Sequence, residues 1–343
     1  MTPTRFHTIT GKYRDLTIAV LGDFCLDRYL EIDPARKEIS IETQLPVHNV
    51  VNVRAQPGGA GTILNNLAAL GVGTILPISF YGNDGEGLEL FASLGQRPGV
   101  RLDYLVRTDQ RRTFTYCKPL IVTAAHPPVE LNRLDFKNWT PTPPALQDEL
   151  REQLEAAARS VDAIIVLEQV DIPETGVVTK TVLECLKTII ANNPELLVIS
   201  DSRHGLQGYP AVTLKMNAAE LKTLTGSADV EGLDAISKTT AQLARERGRT
   251  VFVTLAEKGI VGASTGGELE HVSALPVRGP IDIVGAGDAV TANLTSALTA
   301  GASIREAMEL ASAAGSVVIH KLGTTGTASV PELSELLLSN SFC

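Results

Sequence analysis

A chain of 343 residues that is 44% hydrophobic and 20% charged, with 29 glycines, has the make-up of an ordered α/β protein and not of a disordered one. Its net charge of −9 argues against a nucleic-acid binder, which needs a basic face, and no apolar run approaches the length required to cross a bilayer. Cys25, Cys117, Cys185 and Cys343 form no CxxC pair and the histidines fall in no ligand spacing, which points to reduced thiols and no zinc site.

The N-terminal MTPTRFHTITGKYRD lacks the apolar core of a signal peptide, so a soluble, cytoplasmic protein is expected. LTIAVLGDF (16–24) reads as a buried strand with its functional end at the C-terminus. PGGAGTILNNLAALG (57–71) opens with glycines and continues as a small-residue helix closed by Gly71. TILPISFYG (74–82) is a further strand, followed by a helix from about Gly85 to Gly95. Leu146, Leu150 and Leu154 mark an amphipathic helix that leads into a strand over 161–167. The same alternation predicts a helix over 173–192, strands over 195–201 and 212–217, the helix NAAELKTLTG, a strand over 249–259 and two consecutive helices over 286–320.

Strands alternating with helices imply a doubly wound, mostly parallel sheet flanked by helices. Segments 36–56 and 111–135 alternate apolar with polar residues instead, and are expected as antiparallel strands with one wet face. They would form a small lid over the ligand-binding edge, or a homodimer surface. With no repeat or linker in the sequence, one domain over 1–343 is expected, with the lid inserted in it.

IDIVGAGDAV (281–290) raises the chemical question. GAGD at a helix start leaves the N–H groups of Gly285, Ala286 and Gly287 without intrahelical partners. Together with the helix dipole they suit a phosphate, and the small residues let it approach the backbone. An acid beside a phosphate repels it, so Asp288 fits general-base work on a hydroxyl that attacks a γ-phosphoryl group. The same residues would also serve merely to turn the chain and cap the helix. The third glycine of G-x-G-x-x-G is missing and no Gly-Lys-Ser/Thr follows, which argues against dinucleotide and Walker A readings.

This stretch resembles the D-T-V-G-A-G-D signature of the ribokinase / phosphofructokinase-B family of sugar kinases, and the resemblance runs over most of the chain. It implies a ribokinase-like fold, ATP and Mg²⁺, Asp288 as catalytic base, and Gly285, Ala286 and Gly287 as the anion hole. GDFCLDRY (22–29) resembles the G-D-x-x-x-D segment, which implies that Asp27 binds sugar hydroxyls. PGGAGT (57–62) resembles the Gly-Gly sugar motif, implying Gly58, Gly59, Thr62 and, further along the helix, Asn66. KMNAAE (215–220) resembles N-x-x-E, implying that Asn217 and Glu220 act near Mg²⁺ through water. The same two residues, at i and i+3, would also make an ordinary capping box. VTLAEKG (253–259) and KLGTTG (321–326) are similar to segments lining the nucleotide pocket, which implies Thr254, Glu257, Gly259, Gly287 and Gly323 there. Asp282 and the Ile283 carbonyl are candidates for a monovalent cation such as K⁺.

GDFCLDRY, ISIETQLPV, LNRLDF (131–136) and VVIHKLGTTG further resemble the kinase part of bacterial ADP-heptose synthases, implying a substrate like heptose 7-phosphate. Arg111, Arg112, Lys118 and Arg133 in the lid, and Arg203, are candidates to meet a phosphate on the sugar; solvated surface charge is the alternative for each. Four departures from the family pattern stand out: Thr62 in place of Asn, Glu168-Gln169 in place of a Ser-Asp-Tyr segment, Arg203 in place of Lys, and Ile283 in place of Thr. The nucleotide half therefore matches better than the sugar half. A pentose, ketohexose or nucleoside substrate stays open, as does a sugar- or nucleotide-binding regulator without turnover.

Overall fold

The computed structural model describes residues 1–124, 126–227 and 231–338. In chain order its strands are β1 (Thr17–Gly22), β2 (Phe24–Ile39), β3 (Pro46–Gly59), β4 (Thr74–Gly82), β5 (Leu105–Thr108), β6 (Phe114–Ile121), β7 (Val129–Glu130), β8 (Leu134–Phe136), β9 (Ala163–Glu168), β10 (Leu197–Ser202), β11 (Thr213–Asn217), β12 (Val251–Thr254), β13 (Ile260–Ala263) and β14 (Leu269–Val272). Its helices are α1 (Pro3–Thr10), α2 (Ala60–Ala69), α3 (Gly85–Gly95), α4 (Pro144–Ala157), α5 (Lys180–Asn192), α6 (Ala218–Thr225), α7 (Leu233–Arg247), α8 (Ala286–Thr299), α9 (Ile304–Ile319) and α10 (Val330–Leu338).

The main sheet has nine strands in the order β14-β13-β12-β11-β10-β9-β1-β4-β5. Every neighbouring pair from β5 to β12 is parallel, and β13 and β14 extend the sheet as an antiparallel hairpin. Parallel strands are apolar on both faces because helices cover both. On β1, Ile18 and Val20 pack into one buried cluster with α2, α8 and α9, while Ala19 and Leu21 pack into the other with α4 and α5. The same alternation on β9 sends Ile165 one way and Ile164 and Val166 the other.

Helix α8 is buried along most of its length although it is built of Thr, Asn and Ser as well as Ala. Its polar side chains turn back on the helix: Asn293, Thr295 and Ser296 donate to the carbonyls of Ala289, Thr291 and Ala292 at 2.8–2.9 Å. That pairs these donors without water and lets the helix that begins after Gly285 sit inside the molecule, with only the Asn293 Oδ1 among these three side chains left without a partner among the described residues.

The lid is the second sheet, ordered β3-β2-β6-β7, with β8 also paired to β6. It departs from expectation in two ways. Its first arm starts at Phe24 and runs to Gly59, so Asp27 and Gly58–Gly59 of the two sugar motifs lie on lid strands. And β2 pairs β6 in parallel, Cys25 opposite Phe114 through Ile32 opposite Ile121, while β2–β3 and β6–β8 are antiparallel. The parallel pair arises because β4, α3 and β5 intervene between β3 and β6, a crossover that a hairpin does not need.

Two further expectations need correction. The helix expected over 173–192 begins at Lys180, capped by Thr179, since Pro173 and the positive φ of Glu174 keep 171–179 irregular. The strand expected over 249–259 ends at Thr254, where a short 3₁₀ turn, Ala256–Lys258, reverses the chain into β13. Cys25, Cys117 and Cys185 are buried free thiols; Cys343 lies outside the described residues. No helix among the described residues is long and apolar enough to cross a membrane.

Candidate active site

Because β1, β9, β10, β11 and β12 run parallel, their C-terminal ends share one edge of the sheet, where doubly wound folds place ligands. Asp23, Glu168, Asp201, Asn217 and Thr254 all stand at or just past those ends, and α8 begins above them.

Gly285 precedes α8 with φ 82° and ψ −3°, the left-handed conformation that glycine tolerates best. Ala286 spends its amide on the Ile283 carbonyl at 3.2 Å. This corrects the expectation that Ala286 offers a free donor. The amides of Gly285, Gly287 and Asp288 donate to no group among the described residues, so the anion hole is built from those. The Asp288 carboxylate accepts no hydrogen bond from the described residues and does not cap the helix. Its pKa is pushed up to about 7 by burial; Lys215 opposes the rise, Asp201 adds to it, Arg203 opposes it and Asp27 adds to it.

On the lid side Asp27 lies opposite Gln56 across the β2–β3 pair. A Cβ on Gly58 would fall 2.6 Å from Asp27 Oδ2 and 2.9 Å from Cys25 Sγ, so only glycine lets β3 pass this close to the acid. Lys118 Nζ stands 3.5 Å from Asp27 Oδ1 and 4.9 Å from the centroid of the Tyr29 ring. Burial raises the Asp27 pKa against the pull of Lys118. Gly59, the other glycine of this turn, comes close to the Gln169 side chain.

Gly285 brings the sugar and nucleotide segments together. A Cβ there would meet Thr325 Cγ2 at 2.6 Å and Thr62 Cγ2 at 3.5 Å. Thr324 Oγ1 donates to Gln56 Oε1 at 3.3 Å, so the 321–326 loop touches the lid. Gln56 Nε2 and Thr325 Oγ1 are buried and have no partner among the described residues. Buried polar atoms are usually paired; these two lie on the lid and on the 321–326 loop that touches it. Sequence reasoning singled out neither side chain, although Thr325 lies within KLGTTG; the only signal for Gln56 was its place directly before Pro57-Gly58-Gly59.

Other expected residues are engaged in contacts of their own, and of these Arg133 stays within electrostatic reach of Asp27. Asn66 is fully buried; its Nδ2 donates to the Thr62 carbonyl at 3.0 Å and its Oδ1 accepts from the Ala328 amide at 3.1 Å. It ties α2 to the segment before α10 and does not reach the cleft. Arg111 donates to the carbonyls of Thr140 and Pro141, and Arg112 pairs with Glu86 and Asp84. Arg133 is held by both oxygens of Asp135 at 2.7 and 2.8 Å and covers the Tyr116 ring.

Arg203 is different. With the Gln169 amide oxygen turned towards it, that oxygen accepts from Nε at 3.1 Å and Nη2 at 2.7 Å; Asp171 is 3.6 Å away. Two of the departures from the family pattern therefore contact each other. Glu168 is buried, accepting from Ser202 Oγ at 2.6 Å and Tyr209 OH at 3.1 Å. Asp23 holds this loop to β1 by accepting from the amides of Gln169, Val170 and Val177.

On the nucleotide side Asn217 and Glu220 form the capping box: Asn217 Oδ1 accepts from the Glu220 amide at 3.0 Å, and Glu220 Oε2 accepts from the Asn217 amide at 2.7 Å. Glu220 Oε1 takes no hydrogen bond from the described residues. Thr254 donates to the Met216 carbonyl at 3.3 Å, Glu257 is exposed on the turn before Gly259, and Gly323 is open with φ 71°. Ile281, Ile283, Val284 and Leu322 expose apolar surface on the two segments that meet at Gly285. Asp282 Oδ1 accepts from the Val284 amide at 3.0 Å. No group of three or more His, Cys, Asp or Glu that could hold a metal exists among the described residues.

A family model described as pfkB family carbohydrate kinase matches residues 18–331. Among curated proteins, the bifunctional protein HldE of Gluconacetobacter diazotrophicus is 31% identical over 325 residues, covering 94% of this chain and 64% of that protein. HldE of Caulobacter vibrioides is 31% identical, with 90% and 61% covered. The chain thus spans less than two thirds of the length of these relatives. Among solved structures, an Arabidopsis thaliana ribokinase complexed with ribose and ATP aligns with TM-score 0.61 at 21% identity over 92% of this chain and 95% of that one. Phosphofructokinase-2 from Escherichia coli in complex with potassium aligns with TM-score 0.67 at 20% identity over 93% and 97%. At these identities the likeness establishes a ribokinase-like fold.

Proposed function

The chain belongs to the pfkB family of carbohydrate kinases, and on that premise we propose that it transfers the γ-phosphoryl group of ATP to a hydroxyl of a phosphorylated sugar resembling heptose 7-phosphate. The observation that carries the reading is the Asp288 carboxylate, free of hydrogen bonds from the described residues and beside three amides that donate to none of them, and within electrostatic reach of Asp27. Asp27 and the Gly58–Gly59 turn hold the sugar, with Thr62 beside the glycine turn. Asp288 takes the proton of the attacking hydroxyl as its oxygen bonds to phosphorus and the bond to the ADP oxygen breaks. The amides of Gly285 and Gly287 bear on the charge of the transferring group, fixed in place before it develops.

The apolar surface of Ile281, Ile283, Val284 and Leu322 suits a purine base. Mg²⁺, which uses few protein carboxylates when phosphates and water complete its shell, fits a site with no acidic cluster among the described residues; Asn217 and Glu220 would hold it through water, and it would offset charge on the transferring group. Asp282 keeps one oxygen for a monovalent cation.

A phosphorylated substrate is supported by the HldE relatives and by Arg203, a half-exposed cation beside the Gln169 amide and 3.6 Å from Asp171. A homodimer is supported by the long edge strand β3 and by the exposed Ile39, Ile41, Leu45, Val51 and Val53 around it, surface that a second copy would cover. ADP release measured across free and phosphorylated sugars tests the substrate: turnover confined to a sugar phosphate supports it. Turnover on a free pentose, ketohexose or nucleoside replaces it, and ATP binding without turnover on any sugar favours a regulator.

A further inference from the structure

Under the turn that carries Asp288 lies an ion pair that the chemistry above does not use. Lys215, on β11, is buried, and its Nζ stands 2.6 Å from Oδ2 of Asp201 near the end of β10. A Cβ on Gly287 would fall 3.1 Å from the same Nζ, so the ammonium lies against the residue preceding the base. Thr291, one turn along α8, donates Oγ1 to the Gly287 carbonyl at 3.1 Å, and the same oxygen lies 3.5 Å from Asp201 Oδ2. A buried pair of this kind is weak evidence for stability, because apolar replacements often serve as well. Its place beneath the base gives it another use.

We propose that Lys215 and Asp201 are positioning residues for the base, Lys215 favouring the carboxylate form of Asp288 and Asp201 holding back part of that cation's effect. The inference rests on Asp288 being the base. A buried carboxyl left alone would hold its proton too tightly to act near neutral pH, and a cation at close range brings it back. Five charged groups face this spot: Lys215 from β11, Asp201 and Arg203 from the end of β10, Asp27 from β2 and Glu220 from α6. Arg203 and Asp27 reach into the cleft and will meet substrate, and the Arg203 side chain is 55% exposed, so its field is screened. Lys215 and Asp201 are 7% and 13% exposed, so theirs persists with the site empty or filled. Burial disfavours the charge on Lys215, and Asp201 keeps it protonated.

The test is the titration of Asp288 in the ligand-free protein, followed by its infrared carboxylate band, isolated as the difference from Asp288→Asn. Lys215→Met is expected to move the midpoint up by about one pH unit or more and Asp201→Asn to move it down, with the double variant between them. The acid limb of kcat/KM should follow in the same directions. Midpoints that move the same way, or that stay fixed while rates fall evenly at all pH, overturn the proposal and leave the pair a structural one. Should Lys215→Met not fold because Asp201 is left unpaired, Asp201→Asn and the double variant decide, the former still required to lie lower. A protein that turned over no tested sugar would give the same band, so this outcome is separate from that of the kinase reading.

Discussion

Gly285→Ala strikes the point where helix α2, the anion hole and the 321–326 loop converge. Its new Cβ would lie 2.6 Å from Thr325 Cγ2, against the 3.4 Å at which ordinary contact begins, so the turn or the threonine must move by about 0.8 Å. A displacement approaching 1 Å at a reacting centre costs roughly 10²-fold in rate, and kcat/KM is expected to fall by about that factor. The φ of 82° adds a left-handed strain of about 1–2 kcal/mol for any residue with a Cβ. For a chain of this size that lowers Tm by only about 1–3 °C. The two costs separate in a second variant. Thr325→Ser deletes Cγ2, so Gly285→Ala/Thr325→Ser should recover most of the rate and none of the Tm. Steady-state kinetics and thermal denaturation on the four proteins read both. Near-native kcat/KM in Gly285→Ala, or no recovery in the pair, would refute the geometry argued for the turn.

Asp27→Asn should weaken a charge-assisted hydrogen bond of about 1.5–3 kcal/mol, lowering kcat/KM for the sugar by roughly 10- to 100-fold while KM for ATP stays put; an unchanged sugar KM removes Asp27 from that role. Asp288→Asn should also change stability with pH. The folded carboxyl titrates near 7 and the unfolded one near 3.9, so its favourable protonated form is present below about pH 4 and lost as pH rises to 7. Discounted for partial exposure, the variant should be about 1–3 kcal/mol more stable than the parent at pH 8 and no different at pH 4, read by denaturant titration. Equal stability at pH 8 would mean that the carboxylate is well solvated. Ile41→Asp with Val51→Asp should convert a dimer to a monomer in sedimentation, and a parent that is already monomeric removes the lid interface.

The main sheet was legible because both-face apolar runs such as TIAVLG and AIIVLE admit little else, and the glycine turn was legible because so few residue types tolerate its backbone. The lid's parallel pair was not: period-2 alternation in β2 and β6 fixes which side chains face in but says nothing of strand direction. Asn66 was implied only as the next Asn along the helix after Thr62, which replaces the family's Asn, yet one extra helical turn carries it behind the cleft. Lys215 and Asp201 drew no notice as a pair because their meeting depends on the β10–β11 register, which no short-range pattern encodes. Gln169 and Arg203 read as separate departures, and only the fold places them in contact.

The most direct measurement is sugar-dependent ADP release by the parent and by Asp288→Asn at saturating ATP and sugar phosphate, with nucleotide binding followed in the same samples. A free carboxylate acting as the base requires that turnover be lost by about 10³-fold or more while the variant still binds ATP and stays folded. A variant that turns over at near the parent rate contradicts the assignment of Asp288, and with it the account of how this site moves a phosphoryl group.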